Sequence, residues 1–208
     1  PKEAGPIAGR DYGPQEPEQV AQPLIQEAME VSIPIFQLGY KGDAPQRGEA
    51  GARQELLGEL ACEALLGNST PLYARLYREG LINRNFSYGY EAVPGAAFLA
   101  AGGESKDPEA VRQAVQQEAE RIVREGVDPD LWRRIKKGSY GGKVRSLNSF
   151  ENLCVGQAQS FFAGSDLLDF PRLFDTIEKA DVENLIARWV TPERTALSVV
   201  RPGEEEAK

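Results

Sequence analysis

Histidine is absent from all 208 residues. Without an imidazole, neither a Ser–His nor a Cys–His nucleophile pair can be assembled. A hydrolytic zinc site built on His, His and Glu is excluded for the same reason. Cys62 and Cys154 fall on separate predicted helices and read as buried thiols, with a disulfide between them left open. Neither belongs to a C-x-x-C pair, which argues against a thiolate zinc site. Glu204-Glu205-Glu206 reads as a solvated tail rather than as acid or base. Gly102-Gly103 and Gly141-Gly142 sit in neither of the two phosphate-loop frames, Gly-x-x-x-x-Gly-Lys-Ser/Thr and Gly-x-Gly-x-x-Gly. What remains is binding chemistry. Tyr73, Tyr77, Tyr88 and Tyr90, with Arg75 and Arg78, offer aromatic faces, hydroxyls and guanidinium groups. Core or sheet-face packing is the plain role for the tyrosines, and a solvated helix face for the arginines. Substrate contact is the alternative role.

The elements that position these side chains can be read from periodicity and punctuation. Residues 1–19 are rich in Pro, Gly and Glu and read as a linker or leading arm. Val20–Met29 suggests a first strand, and Val31–Tyr40, with Ile33, Ile35, Leu38 and a proline, an edge strand or strand start. Leu56, Leu57, Leu60, Ala61, Ala64 and Leu65 make one face of a helix over Gly48–Leu66. Ser69 or Thr70 opens a shorter helix through Glu79, stopped by Gly80. Phe86–Val93, with Phe86, Tyr88 and Tyr90 on one face, and Gly95–Gly103 form a hairpin about Pro94-Gly95.

A helical half follows. Asp107-Pro108 and Asp128-Pro129 are each a capping residue followed by a proline at the first helical position. Val111, Ala114, Val115, Ala119, Ile122 and Val123 form the core stripe of the first of these helices, which ends at Gly126. The second runs to about Arg145. Gly138, Gly141 and Gly142 inside it lower helix stability and point to close packing or a bend. Asn148 with Glu151 predicts a capping box for a helix to about Ala163. Asp181 is expected to cap a last helix carrying Val182, Leu185, Ile186 and Trp189. A final strand, Thr195–Val200, closes a single domain over residues 20–202, with a charged tail at 203–208. Antiparallel strands with grouped helices define an α+β class, a mostly antiparallel sheet with helices on one face.

Composition narrows the function classes. The length suits one domain, or at most two small ones, and a chain this long hides roughly 70% of its unfolded surface. A net charge of −8 disfavours nucleic acid and anionic membranes as partners. No window of about 18 apolar residues suggests a membrane span. No signal peptide is visible, and low cysteine use points to an intracellular, cytoplasmic setting. The chain opens at Pro1 with Met29 as its only methionine, so its ends read as cut from a larger parent.

The most distinctive stretch is Ser69-Thr70-Pro71-Leu72-Tyr73-Ala74-Arg75-Leu76-Tyr77-Arg78-Glu79-Gly80-Leu81, followed by Phe86-Ser87-Tyr88. Downstream come Gly102-Gly103 before Lys106-Asp107-Pro108, and Ile135-Lys136-Lys137 before Ser146-Leu147-Asn148-Ser149. Asp181 precedes Trp189, and Pro192-Glu193-Arg194 leads into the last strand. This ordered set, over about residues 20–202, resembles the C-terminal half of pitrilysin/insulinase-type zinc peptidases, nearest to the bacterial processing-peptidase-like proteins. The resemblance implies a half-domain whose partner half holds zinc through an inverted His-x-x-Glu-His site. It implies no catalytic residue, metal or cofactor in this chain, with the zinc in the N-terminal half of the same polypeptide. It further implies a homologous second chain and a peptide substrate held as a strand in a closed chamber.

Some C-terminal domains of the family carry an Arg followed by a Tyr that reach toward another domain's active site. Here Tyr77 occupies the Arg position, Arg78 is one place off, and Tyr88 matches the Tyr only across an insertion at Ile82–Phe86. These three are the expected substrate-binding residues. The departures fit the C-terminal domain of a catalytic chain better than that of an inactive partner. The competing function is a peptidase-like scaffold without catalysis. A preceding domain with His-x-x-Glu-His distinguishes the two.

Overall fold

The computed structural model describes residues 11, 13, 14 and 16–203. Most of the expected charged tail and of the expected leading arm therefore lies outside the described residues. Five strands form one sheet: β1 (Leu24–Met29), β2 (Ile35–Lys41), β3 (Ser87–Val93), β4 (Ala96–Glu104) and β5 (Thr195–Pro202). Their spatial order is β1-β5-β2-β4-β3. β1 runs parallel to β5, and the other three pairings are antiparallel. The helices are α1 (Gly48–Leu66), α2 (Pro71–Arg78), α3 (Pro108–Glu125), α4 (Pro129–Ser146), α5 (Phe150–Ala163), α6 (Phe170–Asp175) and α7 (Lys179–Trp189). The architecture is α+β with a mostly antiparallel sheet, as the sequence predicts.

Alternation decides which sheet face is covered. Phe36, Leu38 and Tyr40 of β2 are buried, while Ile35 and Gln37 are exposed. Leu38 stands opposite Ala101 on one side and Leu197 on the other, so neighbouring strands share the buried face. Leu60, Leu65, Val111, Ile122, Val182, Ile186 and Trp189 complete the core from the helices. Each such side chain contributes about 1.5–3 kcal/mol through burial. α1 is tied to α7 through Arg53, whose Nη2 donates to Asp181 Oδ2 at 2.7 Å. Arg194, nearly buried, pairs with Glu18 at 2.6 Å and Asp43 at 3.4 Å, and the Val20 N–H donates to the Glu193 carbonyl. These contacts anchor the first described residues to the last strand.

Several boundaries differ from the sequence expectation, for local reasons. β2 starts at Ile35, just past Pro34, because proline cannot donate to the ladder. Val123 is 56% exposed, since it sits at the rim of the α3 stripe rather than under it. Ser149, not Asn148, caps α5 by accepting from the Asn152 N–H at 3.3 Å. Glu178 is the capping position of α7. Asp181 lies three residues inside and reaches back to the Glu178 N–H at 3.0 Å. Cys62 is buried but Cys154 is exposed, so the two thiols do not share an environment. The short helix α6 is not legible in the sequence, because its six residues are too few to show a period.

Candidate functional site

The shorter helix and the hairpin bring most of the candidate tyrosines together. Thr70 caps α2 by accepting from the Tyr73 N–H at 3.1 Å, and Pro71 opens the first turn. Leu72 and Leu76 are buried, which turns Tyr77 and Arg78 outward. Tyr77 is 45% exposed and stacks on Tyr73, with ring centroids 6.1 Å apart and planes 14° from parallel. Tyr73 touches Phe86 at 6.1 Å, and Phe86 touches Tyr88 at 6.3 Å. An aromatic row thus links α2 to the edge strand β3. Arg78 is exposed and, among the described residues, has no carboxylate partner.

Tyr88 and Tyr90 lie on β3 opposite Ala101 and Leu99 of β4, as expected for the hairpin. Both face the helices. The Tyr88 hydroxyl donates toward Glu63 of α1, 3.3 Å from each carboxylate oxygen. Burial first, and then the Glu63 charge, push the Tyr88 phenol up to about 12. Burial also raises the Glu63 carboxyl; the Tyr88 hydrogen bond opposes this and the neighbouring Glu59 charge adds to it. Tyr90 stacks on Trp189 at 6.2 Å and is also pushed up to about 12, by burial and then by Glu55. Glu55, Glu59 and Glu63 recur every fourth residue on α1, and Lys143 of α4 pairs with Glu59 at 2.8 Å. A phenol held this far up stays protonated at neutral pH, so the Tyr88–Glu63 pair is a hydrogen bond and not an acid–base couple.

Two clefts of about 330 and 340 Å³ lie elsewhere. One involves Gln26, Lys106, Asp107 and Arg201; the other runs between α3 and α7 past Ala119, Val123 and Ala187. None of Tyr77, Arg78 and Tyr88 lines either. The sequence alone does not single out Glu63 or Lys143. The four-residue spacing of the α1 glutamates was the available signal, but it equally describes a solvated helix face.

The sequence does not place an exposed apolar face on α5 either. None of its 14 residues is buried. Phe150 is 81% exposed, Phe161 73% and Phe162 76%, and Val155 and Cys154 are also open.

The donor set does not fit zinc. The chain contains no imidazole, and among the described residues no three His, Cys, Asp or Glu side chains gather to hold a metal. Among the same residues, no helix is long and apolar enough to cross a membrane.

An α+β domain with a mostly antiparallel five-stranded sheet defines the class. The sequence pattern of the peptidase M16 inactive domain matches residues 2–139, and the chain belongs to that family, which makes it non-catalytic by itself. It is 28% identical over 179 residues to the uncharacterized zinc protease YmfH of Bacillus subtilis (strain 168), covering 84% of this chain and 41% of that protein. A crystal structure of a proposed M16-like peptidase from Alicyclobacillus acidocaldarius superposes with a TM-score of 0.86 at 21% identity, over 91% of this chain and 46% of that one. The inactive peptidase domain of a proposed zinc protease from Bordetella parapertussis gives 0.69 at 15% identity, over 88% of this chain and 97% of that one. At these identities the two structural likenesses speak to the fold. The chain spans under half the length of the first two relatives.

Proposed function

We propose that this chain is the non-catalytic C-terminal half of a cytoplasmic zinc metallopeptidase that hydrolyses peptides. It forms part of the substrate chamber and of the interface with the N-terminal catalytic half and with a homologous second chain. Zinc belongs to the catalytic half. The observation that carries this reading is the family match combined with span: an inactive-domain chain covers 41% of a relative named as a zinc protease. Tyr77 and Arg78, outward on α2, contact the peptide. Tyr88 serves the same face by holding the edge strand β3 against α1 through Glu63. A strand-shaped substrate draws affinity from main-chain hydrogen bonds and orientation from such side chains.

The test is reconstitution. Peptide hydrolysis is measured for the histidine-bearing half alone, for this chain alone, and for the two mixed. Hydrolysis by the mixture only, abolished by a chelator, is the expected result. A stable mixture with no hydrolysis of any peptide would favour the scaffold reading instead.

A further inference from the structure

The open face of α5 has the composition of an interior surface. Its 14 residues include one charged side chain, Glu151, and five large apolar ones: Phe150, Leu153, Val155, Phe161 and Phe162. A helix facing water on a stable monomer keeps its apolar residues on one buried stripe. α5 has no buried residue, and its phenylalanines are among the most exposed large hydrophobics described. Clustered exposure of this kind marks an interaction surface. The adjacent exposed Leu168, just beyond the end of the helix, extends the apolar segment.

Charge and length narrow the occupant. α5 follows directly on α4, which carries Arg133, Arg134, Lys136, Lys137, Lys143 and Arg145 against Asp130 alone, in a chain of net charge −8. Arg134, Lys137 and Arg145 have no carboxylate partner among the described residues. Of these only Arg145 stands beside the start of α5, and an occupant with an acidic side chain there suits it, by complementarity across an interface. Two relatives continue well beyond this chain, which covers 41% of one and 46% of the other. A half of similar size is therefore available to cover the face.

We infer that the apolar face of α5, centred on Phe150, Phe161 and Phe162, is the docking surface for the histidine-bearing half-domain. Its rim pairs an acidic side chain with Arg145, five residues before Phe150. The inference rests on the function proposed above and assigns the surface through which that function is assembled.

The chain holds its own reporter. Cys154 is exposed on α5, whereas Cys62 is buried and its thiol is pushed up by burial and by Glu63. Maleimide should therefore label one thiol, Cys154, in the isolated chain. The experiment follows that labelling rate as the histidine-bearing half is added as a separate chain, with association read by gel filtration. At a tenfold excess over Kd about nine-tenths of the sites are filled, so labelling slows about tenfold. Phe161→Asp with Phe162→Asp should abolish the slowing. Continued silence of Cys62 reports that this variant remains folded. Association with unchanged Cys154 labelling would overturn the α5 assignment and leave the function standing. No association at all would overturn both. Protection that grows with the concentration of this chain alone would make a second copy the occupant and also overturn the assignment.

Discussion

Gly58 of α1 lies against Tyr90 of β3 at a separation that only glycine permits. A Cβ on Gly58 would stand 2.3 Å from Tyr90 Cδ2, well inside van der Waals contact. The helix rests directly on the ring, and the ring in turn stacks on Trp189. Overpacking at Gly58→Ala should cost toward the upper part of about 1–3 kcal/mol, because the obstacle is a ring held by a second ring, for a net loss of up to about 2 kcal/mol. That net figure already counts the gain of about 1 kcal/mol from replacing a mid-helix glycine. Denaturant unfolding checks the sign, and a more stable variant would mean that Tyr90 moves aside freely.

The glycines of α4 behave oppositely. A Cβ on Gly138, Gly141 or Gly142 meets nothing within 4 Å. In the isolated chain, alanine at each position should stabilise by about 0.5–1 kcal/mol, from the reduced entropy of the unfolded chain. Thermal unfolding of the three single variants is the check. A loss of stability in any one would show that its backbone is closely packed after all.

These two sets of glycines mark what the sequence discloses and what it withholds. Strand alternation, the Asp-Pro helix starts and the hairpin about Pro94-Gly95 are local signals, and they recover the order of most elements. The sequence points to close packing or a bend at Gly138, Gly141 and Gly142, yet close packing occurs at Gly58. Nothing in the local sequence separates a helical glycine under an aromatic ring from one open to solvent, because the ring arrives from a strand more than 30 positions away. The same holds for the candidate site. The outward turn of Tyr77 follows from Leu72 and Leu76, which are close in sequence. The partner of the Tyr88 hydroxyl depends on how α1 crosses β3. The apolar face of α5 was visible as hydrophobic residues, but hydrophobic content alone reads as core. α6 was too short to show a period.

Glu63 gives a pH dependence of defined sign. Its folded carboxyl is raised, chiefly by burial, so the folded state holds the proton to higher pH than the unfolded state. Its contribution to stability is fullest below the unfolded value near 4.5 and is lost as pH climbs through the raised folded value. Glu63→Gln keeps a hydrogen-bond acceptor for Tyr88 and removes the titration. The stability of the variant relative to wild type should rise across that window, by less than about 1 kcal/mol for a half-exposed group. Glu109 is shifted the other way by Arg112 and cancels in the comparison. A flat difference between the two proteins from pH 4 to 7, measured by urea unfolding, would count against it.

Tyr88→Phe separates anchoring from substrate contact. The hydroxyl faces Glu63 and neither described cleft, so its removal should loosen the contact between α1 and β3. The expected loss is about 1 kcal/mol of stability, as for one net hydrogen bond. Glu63, no longer held by the phenol, should titrate at a still higher pH, because the Tyr88 hydrogen bond now favours its charged form. Peptide turnover by the reconstituted enzyme should change little at temperatures where the variant is folded. Tyr77→Ala and Arg78→Ala should do the reverse, lowering turnover, while the free energy of unfolding changes by less than about 0.5 kcal/mol for exposed Arg78 and falls by about 0.5–1.5 kcal/mol for Tyr77, which loses its stack on Tyr73. Measuring turnover and unfolding for all three variants decides the roles. If Tyr88→Phe slows turnover at unchanged stability, its hydroxyl touches the peptide directly. If Tyr77→Ala and Arg78→Ala both leave turnover intact, the substrate face lies away from α2.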